Sequence, residues 1–286
     1  MLRLVTWNIL HGGGRTRTPG IALALLELRP DVVVLTEFRS SMGGQLAGVL
    51  SDHGLRHRLC TDPPPGRNGV LIASRRAIEP IKTIEKPPPA LAHRWLAGRL
   101  PAFDLAIAGV HLPDDHASGK KAAAWRHTLA FARAHADAKC VILGDFNTVR
   151  RGTRRPADRS EADAAASASR LGMLATLGYT DAWTAANPGV FASERGVNAT
   201  SAPLTHTWTS RTGRGLRLDQ AWISRSISGD LVAAEHGSPV VSACESRLSD
   251  HAWVRVDLSL GPVNPEAFGA SAEAGQRPGS HPTLFF

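Results

Sequence analysis

The chain has 286 residues, 43% of them hydrophobic and 20% charged, which suits one large domain or two small ones with a substantial core. No run approaches ~18 uninterrupted apolar residues, which argues against a membrane-spanning helix. Cys60, Cys140 and Cys244 lie too far apart to suggest a zinc site or a redox pair, so a reduced, cytoplasmic protein is expected. The net charge of +8 and the sequence pI of about 10.2 fit a polyanionic partner. Nearly all of that charge is Arg in an Ala-rich chain, a bias that GC-rich coding would also produce.

In chain order, Leu2-Arg3-Leu4-Val5-Thr6-Trp7 reads as a first strand, too short and too polar for a secretory signal. Asn8 ends it, ahead of His11 and three glycines. A helix is expected from Pro19 through Leu25 and Leu28, stopped by Pro30. The nearly all-apolar run 31–36 closes on Glu37, a carboxylate either solvated at a rim or placed to bind a hard cation. Further strands are expected at 68–75, 94–100, 104–112, 139–146, 216–223 and 252–258. Helical patterns occupy 119–136, with Trp125, Leu129 and Ala132 at helical spacing, and 160–177, closed by Gly178. Strands follow one another in mid-chain without helices between them, so mixed sheets packed face to face fit better than a parallel doubly wound sheet. Pro63-Pro64-Pro65 and Pro87-Pro88-Pro89 mark loops inside one domain spanning 1–260, and residues 261–286 read as a mobile tail.

The chemistry gathers where strands end. Val141-Ile142-Leu143-Gly144-Asp145-Phe146-Asn147 delivers an acid and a carboxamide, which alternation along an extended chain would put on one face. Such a pair suits a reaction needing a proton acceptor and a group that fixes a water, though Gly-Asp-x-Asn also makes an ordinary turn. His111 ends the run 104–112, as a core or rim histidine or as a site residue. Asn68-Gly69 reads as a hairpin turn. Asp219 lies inside an apolar strand, which is costly unless it is paired. Asp250-His251 opens the last strand, or is a surface turn. If these ends converge, Glu37, Asp145, Asp219 and Asp250 put up to four carboxylates in one space, and like charges so close raise one another's pKa or recruit a counter-ion. Oxygen donors without a cysteine cluster favour Mg²⁺ or Mn²⁺.

Taken together, Thr6-Trp7-Asn8-Ile9, Thr36-Glu37, Asn68-Gly69-Val70, Gly109-Val110-His111-Leu112, Gly144-Asp145-Phe146-Asn147, Gly215-Leu216-Arg217-Leu218-Asp219 and Ser249-Asp250-His251 resemble the endonuclease/exonuclease/phosphatase superfamily. Gly178-Tyr179-Thr180-Asp181-Ala182-Trp183 and His206-Thr207-Trp208 support the likeness, which covers about residues 1–260. It implies a four-layer α/β sandwich, two mixed β-sheets with flanking helices and a site at one edge. It also implies phosphoester hydrolysis by in-line attack of water with Mg²⁺ or Mn²⁺. On this resemblance Glu37 binds the metal with Asn8 close by, and Asp250 is a further direct or water-mediated ligand. Asp145 activates the water or manages the leaving-group proton, while Asn147 positions nucleophile or phosphate. Asp219 orients His251 toward a phosphate oxygen, and His111 lies against the phosphate. Two positions depart from the pattern. Leu10 stands where DNA-repair members usually carry an acid, which weakens a tight second metal and a role in abasic-site repair. Arg126 matches a helical Arg, but the Gln that follows it in relatives is absent.

Nucleic acid, DNA ahead of RNA, is the expected substrate. Arginines 150, 151, 154, 155 and 159 follow the Asp145 strand, and Arg211, Arg214 and Arg217 precede Asp219. Asn68, Arg94, Arg126, Arg150, Arg151, Arg154 and Arg217 are the candidate substrate contacts. A phosphomonoesterase, a lipid or inositol phosphodiesterase, and a non-catalytic nucleic-acid-binding module are the alternatives. The ending His281-Pro282-Thr283-Leu284-Phe285-Phe286 imperfectly resembles the bacterial sliding-clamp-binding peptide, with His281 in place of its Gln.

Overall fold

The computed structural model describes residues 1–83, 86–114, 118–149, 161–189, 206–209, 215–237 and 247–263. Arg150, Arg151, Arg154, their arginine neighbours as far as Arg159, Arg211, Arg214 and residues 264–286 lie outside the described residues. The chain begins with β1 (Leu2–Asn8), α1 (Gly14–Glu27), β2 (Val32–Phe38) and α2 (Ser40–Asp52), and continues through β3 (His57–Cys60), β4 (Gly69–Ser74) and β5 (Glu79–Pro80). Next come β6 (Trp95–Leu100), β7 (Leu105–His111), α3 (Ser118–Ala134), β8 (Cys140–Asp145), α4 (Glu161–Thr176), β9 (Thr180–Asp181) and α5 (Ala182–Ala186). The last elements are β10 (Trp208–Thr209), β11 (Gly215–Leu216), β12 (Asp219–Ile223), β13 (Leu231–Gly237) and β14 (Trp253–Leu258).

Two six-stranded mixed sheets result, ordered β13-β14-β1-β2-β4-β3 and β5-β6-β7-β8-β12-β9. Parallel pairs β1/β2 and β7/β8 are flanked by antiparallel neighbours. Side-chain alternation explains the four layers. Leu4, Val32, Val34, Val70 and Ile72 of the first sheet meet Leu105, Ile107, Val141, Leu143 and Ile223 of the second. The intervening residues of the first sheet, Val5, Trp7, Val33 and Leu35, pack on Ile21 and Leu25 of α1 and Leu46 and Leu50 of α2. On the opposite side Ala108, Val110, Ile142 and Trp222 pack on Trp125 and Leu129 of α3 and Leu174 of α4. Both faces of each central strand are therefore buried, which is why these strands are nearly continuous apolar runs.

Several local expectations shift. Helix α1 starts at Gly14 and carries Pro19 inside it, because the turn at Gly12-Gly13, both at φ 77°, has already set the chain direction. Helix α2 has no counterpart in the sequence reading; its Gly43-Gly44 pair hides the apolar spacing of Leu46, Ala47 and Leu50. The 216–223 run is broken into β11 and β12. Asn68-Gly69 is not a two-residue hairpin turn, since the β3–β4 connection runs through residues 61–68. Past the expected domain end, Val263 N still donates to Ala102 O at 2.7 Å.

Gly144 in β8 has φ 141°, and a Cβ there would sit 2.0 Å from the Val110 carbonyl oxygen. No side-chain rotation relieves a clash with backbone. Gly48, inside α2, has open space around its Cβ position. Urea melts should show Gly144→Ala losing about 2–3 kcal/mol, against a change of no more than a gain of ~1 kcal/mol for Gly48→Ala. Equal stabilities for the two variants would contradict the packing described.

Candidate active site

The first sheet contributes three groups at one end. Asn8 closes β1. Glu37 follows at the end of β2, where the register slips between Thr36 and Phe38 and Glu37 adopts φ 57°. That bulge turns the carboxylate out of the ladder toward the cleft. Asn68 immediately precedes β4, and its Nδ2 donates to Glu37 Oε2 at 2.8 Å. His11 N donates to the same oxygen at 2.8 Å, while Arg39 Nε holds Asn68 Oδ1 at 2.7 Å.

The second sheet contributes its groups by register. His111, Asp145 and Asp219 pair across β7, β8 and β12, so the three stand side by side at one level. Asn147 joins them by a turn and not by strand alternation: it has φ 46°, and its N donates to Asp145 Oδ1 at 2.9 Å. Its Nδ2 bridges Leu112 O at 2.9 Å and Asp145 Oδ2 at 3.2 Å. Four of the six non-glycine residues with positive φ among the described residues (Leu10, His11, Glu37 and Asn147) surround this spot. Such strain persists where surrounding contacts enforce it.

His251 comes from the loop before β14, and its Nδ1 lies 2.7 Å from Asp219 Oδ2. The buried Asp219 thus has the partner its strand environment demands. Two ties seat His251: Trp7 Nε1 donates to its carbonyl at 2.9 Å, and its own N donates to Ser249 Oγ. Thr207 links the two chains that carry the pair. Its hydroxyl accepts from Leu218 N and Asp219 N, both at 2.9 Å, and its carbonyl accepts from Ala252 N. The sequence offered Thr207 only as the centre of His206-Thr207-Trp208; the residues it joins are 11 and more positions away. Asp250 accepts from Trp208 Nε1 at 3.1 Å, leaving its buried Oδ1 without a hydrogen bond at the cleft wall.

The two sheets meet at Asn8. Its Nδ2 lies 3.3 Å from Glu37 Oε1, 3.1 Å from Asp145 Oδ2 and 3.5 Å from His251 Nε2. His111 Nε2 stands 3.9 Å from Glu37 Oε1 and 3.8 Å from Asp145 Oδ2, with Arg94 Nη1 at 3.3 Å. Burial, reinforced by Asp219, raises the Asp145 carboxyl to about 6. Burial alone would depress His251, but the charge and hydrogen bond of Asp219 win and lift it to about 10. His111 is driven well below its ordinary value, by burial first and by Arg94 second. At neutral pH His251 is therefore an imidazolium and His111 a neutral imidazole.

The pocket above these residues is a cleft of about 710 Å³, whose rim carries Arg67, His93, Arg94 and Lys120, with Trp208 and Leu218 on the opposite wall. Arg126 is exposed on α3 and does not line it. Arg217 is also absent from the cleft lining: its guanidinium is taken by Asp181, with Nη1 to Oδ1 at 3.1 Å, and lies over the Trp183 ring. That contact braces the turn into Asp219 and leaves Arg217 no free charge for substrate. Arg67, His93 and Lys120, which lack any motif, take the places on the rim expected of Arg126 and Arg217.

The donors fit a divalent cation. Glu37 and Asp145 face each other across one amide nitrogen, two carboxylates set close enough to share a cation. Donor atoms of Asp145, Asp219 and His251 also lie within 4.8 Å of one another. His251 Nδ1 is already bound to Asp219, however, so Glu37 and Asp145 form the better pair of ligands. Asn8 turns N–H toward both carboxylates while its Oδ1 accepts from Leu10 N at 3.0 Å. In this arrangement it spans the ligands and does not itself offer an oxygen.

Residues 5–251 match the model of the Endonuclease/Exonuclease/phosphatase family. The chain belongs to this family. It is consequently a phosphoester hydrolase, and the non-catalytic binding module falls away; the family is divalent-metal dependent. No curated protein matches the sequence. Among solved structures, the 3′-5′ exonuclease NExo from Neisseria meningitidis is similar at 21% identity and TM-score 0.67, over 90% of this chain and 99% of that one. The 3′ phosphatase NExo from Neisseria, as a variant bound to product DNA hairpin, aligns at 22% identity and TM-score 0.66 with the same coverage. An AP endonuclease from Archaeoglobus fulgidus aligns at 17% identity and TM-score 0.68, again over 90% and 99% of the two chains. At these identities the likeness is one of fold, and it bears out the two-sheet sandwich.

The Asp219–His251 pair makes a prediction about charge. A histidine pKa raised on folding contributes stability that is complete below about pH 6.5 and is lost as pH rises through about 10. NMR titration of the metal-free protein should show the His251 ring protonated at neutral pH. In Asp219→Asn the main favourable charge is gone, so the ring should titrate at a lower pH than in the wild type. A His251 titration unmoved by the substitution would contradict the pairing.

Proposed function

We propose that this family member is a Mg²⁺- or Mn²⁺-dependent nuclease that hydrolyses phosphodiester bonds of DNA. The observation that carries the reading is the meeting of Glu37, Asn8 and Asn68 from one sheet with His111, Asp145, Asn147, Asp219 and His251 from the other. Glu37, Asn68, His111, Asp145, Asn147 and His251 line one basic-rimmed cleft, with Asn8 and Asp219 buried and bonded to them. Glu37 and Asp145 would hold the cation, with Asp250 beside them. A bound cation there supplies neutralisation of the charge that builds on a phosphate.

The chain's own groups divide the remaining work. Asp145, held by the Asn8 and Asn147 amides, accepts a proton from the attacking water. Asn147 is anchored by Leu112 O and positions that water or a phosphate oxygen. His251, charged and oriented by Asp219, presents Nε2 as a donor to the phosphate as its charge grows. Neutral His111 keeps Nε2 toward Arg94, so Arg94 and His111 act as one phosphate-facing unit. Arg67, Arg94 and Lys120 suit the flanking phosphates of a nucleic-acid strand.

DNA is favoured because the NExo structure described above holds a product DNA hairpin and the Archaeoglobus protein is an AP endonuclease. The description of NExo as a 3′ phosphatase supports a second reading, removal of a terminal 3′ phosphate by the same groups. A cytoplasmic, clamp-associated setting completes the proposal. Its docking peptide, residues 281–286, lies outside the described residues.

Hydrolysis of bis-p-nitrophenyl phosphate, plasmid DNA, a 3′-phosphorylated oligonucleotide and RNA should be compared with Mg²⁺, Mn²⁺ or EDTA. DNA should be cleaved with either ion and not with EDTA. Asp145→Ala should lose roughly 10³-fold in rate while keeping salt-sensitive DNA binding. Full activity in EDTA, or an unaffected Asp145→Ala enzyme, would sink the assignment.

A further inference from the structure

Lys121 lies at the end of the first turn of α3 and is only 1% exposed, among the largest fully buried side chains of the protein. A buried ammonium near the positive end of a helix dipole is doubly unfavourable, so a specific acceptor has to hold it there. The structure supplies one at the active site: Lys121 Nζ donates to the Asn147 carbonyl at 2.5 Å. Asn147 sits in the left-handed region, at φ 46°. In that conformation its carbonyl faces α3 while its N and Nδ2 both face Asp145. The neighbouring Thr148 is fixed separately, by Gln220 Nε2 to its carbonyl at 2.7 Å. Neighbouring Lys120, by contrast, is exposed on the cleft rim.

We infer that Lys121 is a positioning residue for hydrolysis: its buried charge holds the Asn147 carbonyl and so keeps the left-handed turn that aims two N–H groups at the Asp145 carboxylate. This rests on the hydrolytic reading of the site. Lys121 touches neither substrate nor reacting atoms. Its effect on the site runs through the Asn147 backbone carbonyl into the orientation of Asp145 and the Asn147 amide. Misplacing such groups costs rate at the chemical step more than it costs substrate binding. Nothing in the sequence marks Lys121 over Lys120, because only the fold shows which one turns inward.

The test compares the full-length protein with Lys121→Met, which keeps the apolar stem and removes the charge, and Lys121→Arg, which keeps the charge. Steady-state hydrolysis of bis-p-nitrophenyl phosphate with Mn²⁺ gives kcat and KM, and NMR hydrogen exchange follows the Asn147 amide, with Ile142 in β8 as a core reference. Lys121→Met is expected to lose roughly 100-fold in kcat at nearly unchanged KM. Its Asn147 amide should exchange faster while Ile142 stays protected, and Lys121→Arg should recover much of the kcat. Any of four results would overturn the inference: wild-type kcat in folded Lys121→Met, a loss confined to KM, equal losses in the Met and Arg variants, or failure of Lys121→Met to fold at all. If the wild-type protein hydrolyses no phosphoester, the proposed function fails, and Asn147 exchange in Lys121→Met still decides whether the tether exists.

Discussion

One amide group holds the two halves of the site together. Asn8, at the end of a strand in one sheet, places its Nδ2 between Glu37 of its own sheet and Asp145 of the other. Two carboxylates are thereby kept close in a region where Asp145 and Asp219 are almost wholly buried. Water cannot screen that charge, so the site must gather positive charge by other means. It does so with a His251 imidazolium held by Asp219 and with Arg94, and a divalent cation of the kind the family uses would add to them.

The packing of the sandwich makes this possible. Because helices cover the outer faces and the sheets cover each other, polar groups can leave the core only at strand ends. Register then decides which ends coincide. His111, Asp145 and Asp219 stand in one row because β7, β8 and β12 pair at those residues. Gly144 permits it, as the residue at which β8 comes too close to Val110 for any side chain. The remaining members are brought in by local departures from ideal backbone: the bulge at Glu37 and the left-handed Asn147, both braced by hydrogen bonds. Thr207 then ties the Asp219 turn to the chain after His251.

Much of this could be read from the residues alone. The apolar runs marked the central strands because burial on both faces demands continuous hydrophobicity. The polar residues ending those runs were the ones that converge. Sequence reasoning failed where the deciding partner is distant. Asn147 was expected beside Asp145 by strand alternation, yet it arrives by a turn whose carbonyl is held by Lys121. Arg217 was read as a substrate contact, but Asp181, 36 positions away, holds its guanidinium. Helix α2 escaped notice because Gly43 and Gly44 lower its intrinsic helix preference, and only packing against the sheet makes it stable. Arg67, His93 and Lys120 carry no motif, and only the fold brings them to the rim, from the β3–β4 connection, the 3-10 turn before β6 and the first turn of α3.

The central claim is that the ends of two separate sheets form one cation pocket. Anomalous scattering from crystals grown with Mn²⁺ tests it most directly. The account predicts a peak about 2–2.3 Å from carboxylate oxygens of both Glu37 and Asp145, with the Asp219–His251 bond intact, and loss of that peak in Glu37→Gln. A peak on Asp219 and His251 instead, or none between Glu37 and Asp145 at saturating Mn²⁺, would contradict it.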